Sequence, residues 1–180
     1  MDKFILLEDT RQQNHKHTIK HKWFAEHGVE IRRTKLYVGD YTLPTNQSIC
    51  IDTKKDCQEL IGDICGKKHD TFREELIRAQ EANIQLIILV ENKGGQIGKT
   101  GIFNPTIRDL SELHTWKNPR LFIRRSGKQL YPSATRGITL QKACMTMEKK
   151  YGCKFLFCTP EESGAKIIEL LKGETLWQKT

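Results

Sequence analysis

The stretch VGDYTLPTNQSICIDTKKD, residues 38–56, decides how the rest of the chain is read. It holds the end of one apparent strand, the turn LPTNQ and a second strand, SICIDTK. Each strand carries an aspartate at its end, Asp40 and Asp52, although the chain as a whole is basic. Lys54 stands two residues beyond Asp52. Successive side chains of a strand alternate between faces, so Asp52 and Lys54 point the same way.

Outward from this hairpin the pattern alternates. Upstream, KFILLED is a short apolar run ending in acids, which predicts a buried strand closed by Asp9. NHKHTIKHKWFAEHG places Ile19, Trp23 and Phe24 at helical spacing and stops at Gly28, a C-terminal cap residue. VEIRRTKLYVGDYTL alternates as one or two strands. Downstream, KDCQELIGDICG and HDTFREELIRAQEAN predict two helices. IQLIILVEN is continuously apolar, as in a central strand covered on both faces. ITLQKACMTMEKKYG predicts a helix ending at Gly152, KFLFCT a strand, and TPEESGAKIIELLKG a helix with Thr159 as N-cap and Pro160 in its first turn. Alternating strands and helices argue for a layered α/β domain.

The chain has 180 residues with 37% hydrophobic composition, enough for one domain with its own core. No apolar run approaches the roughly 20 residues that cross a bilayer, so no membrane association is expected. The four-residue apolar stretch near the N-terminus is too short for a secretory signal. The six cysteines form no C-x-x-C pair and read as reduced, mostly buried thiols. His17 and His21 are spaced i,i+4, but HTIKH lacks the glutamate of a zinc-protease helix and reads as a basic, solvated face. GGQIGKT is one residue short of a phosphate-binding loop. Met145 and Met147 are read as core fillers.

The formal charge is +8, which points to a polyanionic partner, nucleic acid first. Residues 93–134 hold eight Lys and Arg against two acids, so 8 − 2 = +6 lies there. Within this basic background, Asp9, Asp40 and Asp52 fall at three strand ends that could meet at one sheet edge. Carboxylates with open water positions suit Mg²⁺. A lysine beside them can orient or deprotonate water, or stabilise developing negative charge. The pattern is that of metal-assisted phosphodiester hydrolysis. D-x-K alone is also compatible with a solvated surface pair.

The residues resemble the XPF/Mus-type structure-specific endonucleases, a branch of the PD-(D/E)xK nucleases. The family's G-D-Y is Gly39-Asp40-Tyr41, and Asp52-Thr53-Lys54 stands where it has E-R-K. EDTRQ resembles the upstream V-D-x-R-E and supplies Asp9 and Arg11. IQLIILVEN, ending in Glu91, and FLFCTPEESGAKIIELL resemble later family elements. The resemblance covers residues 3–92 and 135–172. Asp52 replaces a glutamate, Thr53 an arginine and Gln12 a glutamate. Neither Asp56 nor Glu59 is in register with a later family aspartate, and Glu75 falls near a place often filled by glutamine.

The resemblance implies a restriction-endonuclease-like three-layer α/β/α core with a mixed central sheet, formed as a single nuclease domain over 1–180. It implies catalytic Asp9, Asp40, Asp52 and Lys54, with the three aspartates holding Mg²⁺ or Mn²⁺. Arg11 is expected to contact a phosphate or brace the site. DNA is the expected substrate, with flaps, forks and junctions in view, and a homodimer the expected assembly. The chain stops soon after its last predicted helix, so no helix-hairpin-helix module is expected within it. A cytoplasmic, nucleoid-associated protein of prokaryotic or phage origin fits this reading.

Two segments are candidate DNA contacts. Residues 93–134 interleave Arg108, Arg120, Arg124, Arg125 and Lys128 with Phe103, Trp116, Phe122 and Tyr131, as a DNA-gripping flap or as a loop packed on the domain. KKHDTFREELIRA sets Lys67, Lys68, His69 and Arg73 at a helix start, as phosphate contacts or as a solvated helix face. Two other readings of the whole remain: an inactive DNA-binding module on a nuclease fold, and a protein that binds another protein through the 93–134 segment.

Overall fold

The computed structural model describes residues 4–12 and 18–173. Six strands form one mixed sheet: β1 (Phe4–Asp9), β2 (Val29–Thr34), β3 (Tyr41–Leu43), β4 (Asn46–Lys54), β5 (Gln85–Glu91) and, after two short hairpins, β10 (Lys154–Cys158). Their spatial order is β10-β5-β4-β3-β1-β2. All run parallel except β3, which lies antiparallel between β4 and β1. The strand ends that carry Asp9, Asp52, Lys54 and Glu91 therefore share one edge of the sheet.

Helices cover both faces. α1 (Thr18–Glu26) packs on α5 (Ser163–Lys172), and with the sheet they enclose Leu6, Phe24, Tyr41, Ile51, Ile87, Leu89 and Ile167. The opposite core lies beneath α2 (Cys57–Ile64), α3 (His69–Glu81) and α4 (Gly137–Tyr151). It is built on Cys50, Leu60, Phe72, Leu86, Ile88, Val90 and Leu140. The alternation along β5, with Ile87 and Leu89 to one side and Ile88 and Val90 to the other, divides its apolar run between the two cores. This is the expected three-layer α/β/α arrangement.

Three local expectations change. In α1, Ile19 is half-exposed, whereas Lys20 is buried. Its ammonium pairs with Glu91 at the end of β5, so an ion pair rather than the apolar spacing sets how the helix is turned. The last helix begins at Ser163, not at Pro160. Thr159 to Glu162 form a preceding turn, closed by the Glu162 side chain accepting from the Thr159 amide at 2.9 Å. The expected N-cap residue thus receives a cap instead of supplying one.

The segment 93–134 is also more ordered than its sequence suggests. It contains the hairpin β6 (Gly95–Gln96) with β7 (Phe103–Asn104), two 3-10 turns, and the hairpin β8 (Arg124–Arg125) with β9 (Lys128–Gln129). Ile107, Leu113 and Trp116 are buried in the core beneath α4. Buried Asn118 donates to the Thr135 carbonyl and accepts from Gln58 of α2. The middle of the segment is therefore packed on the domain. Arg124, Arg125 and Lys128 of the second hairpin stand in solvent.

Five cysteines are buried and Cys65 is exposed, all as free thiols. No helix among the described residues is long and apolar enough to cross a membrane. His17 lies outside the described residues.

Candidate active site

Asp40 reaches the sheet edge through a tight approach of backbone to backbone. Gly39, just before β3, has φ +71°, the left-handed region that favours glycine. A Cβ there would also lie 3.0 Å from the Ile51 carbonyl oxygen. Beside it, the Asp40 amide donates to that carbonyl at 2.7 Å, and the Asp9 amide donates to the Asp40 carbonyl at 2.8 Å. The Asp40 carboxylate accepts from the Thr53 amide at 2.8 Å and the Thr53 hydroxyl at 2.7 Å. Thr53, which departs from the family pattern, is thus the residue that aims Asp40.

Asp52 and Lys54 project from β4 toward α2 and α3, and both are buried. Lys54 Nζ sits 2.8 Å from Asp52 Oδ2 and 2.8 Å from Asp63 Oδ2, with the Phe72 ring centroid 5.2 Å away. Burial would lower the Lys54 pKa, but the charges of Asp52 and Asp63 outweigh it and raise it. Burial pushes the Asp52 carboxyl up; Lys54 opposes this, while Asp40 and Glu75 add to it. The two shifts pull against each other, because the lysine is drawn up by an ionised Asp52. Asp63 also holds the ammonium, so Lys54 is drawn up from two sides.

Asp9 has a different surrounding from the other two aspartates. Its Oδ1 accepts from the Arg11 amide at 2.7 Å and Arg11 Nε at 2.8 Å, and its Oδ2 from Arg11 Nη2 at 2.9 Å and the Leu36 amide at 2.8 Å. Burial alone would raise its carboxyl, but these donors hold it below the ordinary range. With four donors on two oxygens, its lone pairs are taken. Arg11 is the brace rather than a free cation.

Beyond the expected set, the cleft of about 180 Å³ beside Lys54 brings in Asp63 of α2 and Glu75 of α3. Glu75 accepts from the Gly39 amide at 2.9 Å. Asp63 was visible in the sequence as an acid on the inward stripe of α2, between Leu60 and Ile64. Asp56 and Glu59 serve the helix start: Asp56 accepts from the Glu59 amide and Glu59 from the Lys55 amide. Lys68 lines the cleft, and exposed Lys67 is its chain neighbour. The His69 ring is bonded to the Ile64 carbonyl, and Arg73 is turned to Tyr151 on α4. Arg120 lies over the Tyr131 ring, and Arg124 bonds the Gly127 carbonyl of its own hairpin.

Among the described residues, no three His, Cys, Asp or Glu side chains form a ready metal cage. Mg²⁺ does not require one, because it binds through one or two carboxylates, substrate phosphates and water. Asp52 Oδ2 is buried and faces the Lys54 ammonium at 2.8 Å. That one ammonium is shared with Asp63, so the crowding of Asp52 by Asp40 and Glu75 leaves negative charge that a hard cation would balance. The residues fit such an ion.

No curated protein matches the chain in sequence. In structure it is similar to XPF from Aeropyrum pernix, with TM-score 0.57 and 18% identity, over 96% of this chain and 66% of that one. It is likewise similar to XPF from Aeropyrum pernix in complex with DNA, with TM-score 0.59 and 16% identity over the same shares. The chain thus spans about two thirds of the length of those proteins and shares their fold. The ERCC4 domain model matches residues 9–171, and on that span, which holds the hairpin, the cleft and both helical layers, the chain belongs to the ERCC4 domain family.

Proposed function

We propose that this chain is a divalent-metal-dependent endonuclease that hydrolyses phosphodiester bonds in DNA, with preference for flap, fork or junction structures. One observation carries the reading: buried Asp52 is paired with Lys54 at 2.8 Å beside a cleft whose acids outnumber its cations. The family match and the likeness to a protein solved with DNA support it.

Asp40 and Asp52 would hold Mg²⁺ or Mn²⁺, which when bound supplies Lewis-acid activation of water and charge neutralisation at the phosphate. The chain's own groups do the rest. Thr53 fixes the Asp40 carboxylate. Lys54 stays an ammonium between two carboxylates, so it orients water and steadies negative charge developing on phosphate oxygen rather than removing a proton. Asp63 positions Lys54. Asp9, expected as a third metal ligand, acts here as a brace: locked to Arg11, it anchors the Asp40 backbone. Lys67 and Lys68 near the cleft and Arg124 and Arg125 on the exposed hairpin are offered to DNA phosphates.

The alternative of an inactive binding module is less well supported, since Thr53 has a defined task at Asp40. The test is cleavage of labelled duplex, single-stranded, flap and four-way-junction DNA with Mg²⁺, Mn²⁺ or EDTA, with Asp52→Asn alongside. Metal-dependent cutting lost in the folded variant is expected. An Asp52→Asn protein that cuts as well as the wild type would refute the assignment.

A further inference from the structure

A second groove, of about 600 Å³, lies between α3 and the segment joining β2 to β3, lined by Arg11, Lys35, Leu36, Tyr37, Thr71 and Arg78. Thr71 also lines the cleft that holds Lys54, so the groove continues that cleft along the surface.

Its chemistry is specific. Tyr37 is 59% exposed between buried Leu36 and Val38, so the chain's alternation turns its ring outward. Its base is held firmly, because the Leu36 amide donates to Asp9 and Arg11 Nη2 donates to the Leu36 carbonyl at 3.4 Å. Among the described residues, the side chains of Lys35 and Arg78 have neither an ion pair nor a hydrogen bond. Of the acids close by, Asp9 is engaged by Arg11 and Glu75 by the Gly39 amide. A rigid aromatic face flanked by two unpaired cations is complementary to one kind of occupant: a nucleobase with phosphates on either side. Only an unpaired base offers a free face to such a ring.

We infer that this groove holds a single-stranded segment of the DNA substrate next to the bond that is cut, with a base stacked on Tyr37 and phosphates on Lys35 and Arg78. The inference rests on the proposed nuclease reading for its substrate, and it is tested without cleavage. Fluorescence anisotropy of a short fluorescein-labelled oligothymidylate, in EDTA, would compare the wild type with Tyr37→Ala, Tyr37→Phe and Lys35→Ala/Arg78→Ala. Loss of a stacked base should weaken single-strand binding by about tenfold in Tyr37→Ala, within the range for such contacts, and Tyr37→Phe should restore it. The double variant should lower the slope of log affinity against log salt by about 1.4, at about 0.7 for each phosphate contact to a single strand. Blunt duplex of the same length should be insensitive to Tyr37→Ala.

Unchanged affinity in folded Tyr37→Ala, or equal losses on single strand and duplex, would overturn the groove whether or not the wild type cuts DNA. A wild type that shows these binding effects yet never cuts with metal would overturn the nuclease reading and leave the groove standing. A wild type that binds no DNA in low salt would overturn both.

Discussion

Replacing Arg11 by methionine tests the brace on which the site's geometry depends. The variant removes the two guanidinium donors to Asp9, at 2.8 and 2.9 Å, and leaves the two backbone amides. Hydrogen bonds to a charged group are worth about 1.5–3 kcal/mol each. The Asp9 side chain is 1% exposed but that of Arg11 is 57% exposed, so solvent screens the pair and pulls its worth down toward that of a surface pair. The net expectation at neutral pH is a loss of about 2 kcal/mol for the fork as a whole. At about 2–4 °C per kcal/mol for a chain of this size, the melting temperature falls by about 4–8 °C.

The pH dependence supplies the sharper check. Donors hold the folded Asp9 carboxyl below its ordinary value of 3.8. Its stabilisation is therefore complete above that value and is lost as the pH falls through the lower folded value. The gap between wild type and Arg11→Met should be full at neutral pH and close in acid. Urea unfolding followed by circular dichroism across a pH series measures it. A gap under about 0.5 kcal/mol at neutral pH, the scatter of ordinary surface substitutions, would refute the reasoning. So would a gap that persists unchanged in acid.

Lys20→Met should destabilise by about 3–5 kcal/mol, because it strands Glu91 in the core, and adding Glu91→Gln should recover much of the loss; urea titrations of both variants decide. Asp63→Asn should lower the rate of metal-dependent cutting by about tenfold, the size of a lost orienting hydrogen bond to a charge, while leaving metal-free DNA affinity unchanged. The same variant should bring forward the alkaline loss of stability. Lys54 is raised above its ordinary 10.5, so its contribution is present below that value and is lost as pH rises through the folded value, which falls when Asp63 is neutralised. Thermal melts in alkaline buffers follow that shift.

The strands and helices were legible in the chain because they rest on periodicity, while the three-layer order with a mixed sheet followed from the family resemblance. The strand SICIDTK, the unbroken apolar run within Gln85–Glu91 and the helical segments that became α3 and α4 are local patterns, and each formed its expected element. Gly28 and Gly152 marked the ends of their helices because left-handed backbone favours glycine wherever it occurs. The shared face of Asp52 and Lys54 followed from strand geometry alone. What tertiary structure decided were meetings between distant segments. It brought Asp63 to Lys54 and Thr53 to Asp40, gave Asp9 to Arg11 and Leu36, turned Lys20 inward to Glu91, and ran the Tyr37 groove into the cleft. A residue's periodicity says which face it occupies. Whether a carboxylate there becomes a brace or an open ligand depends on which donors the folded chain delivers to it.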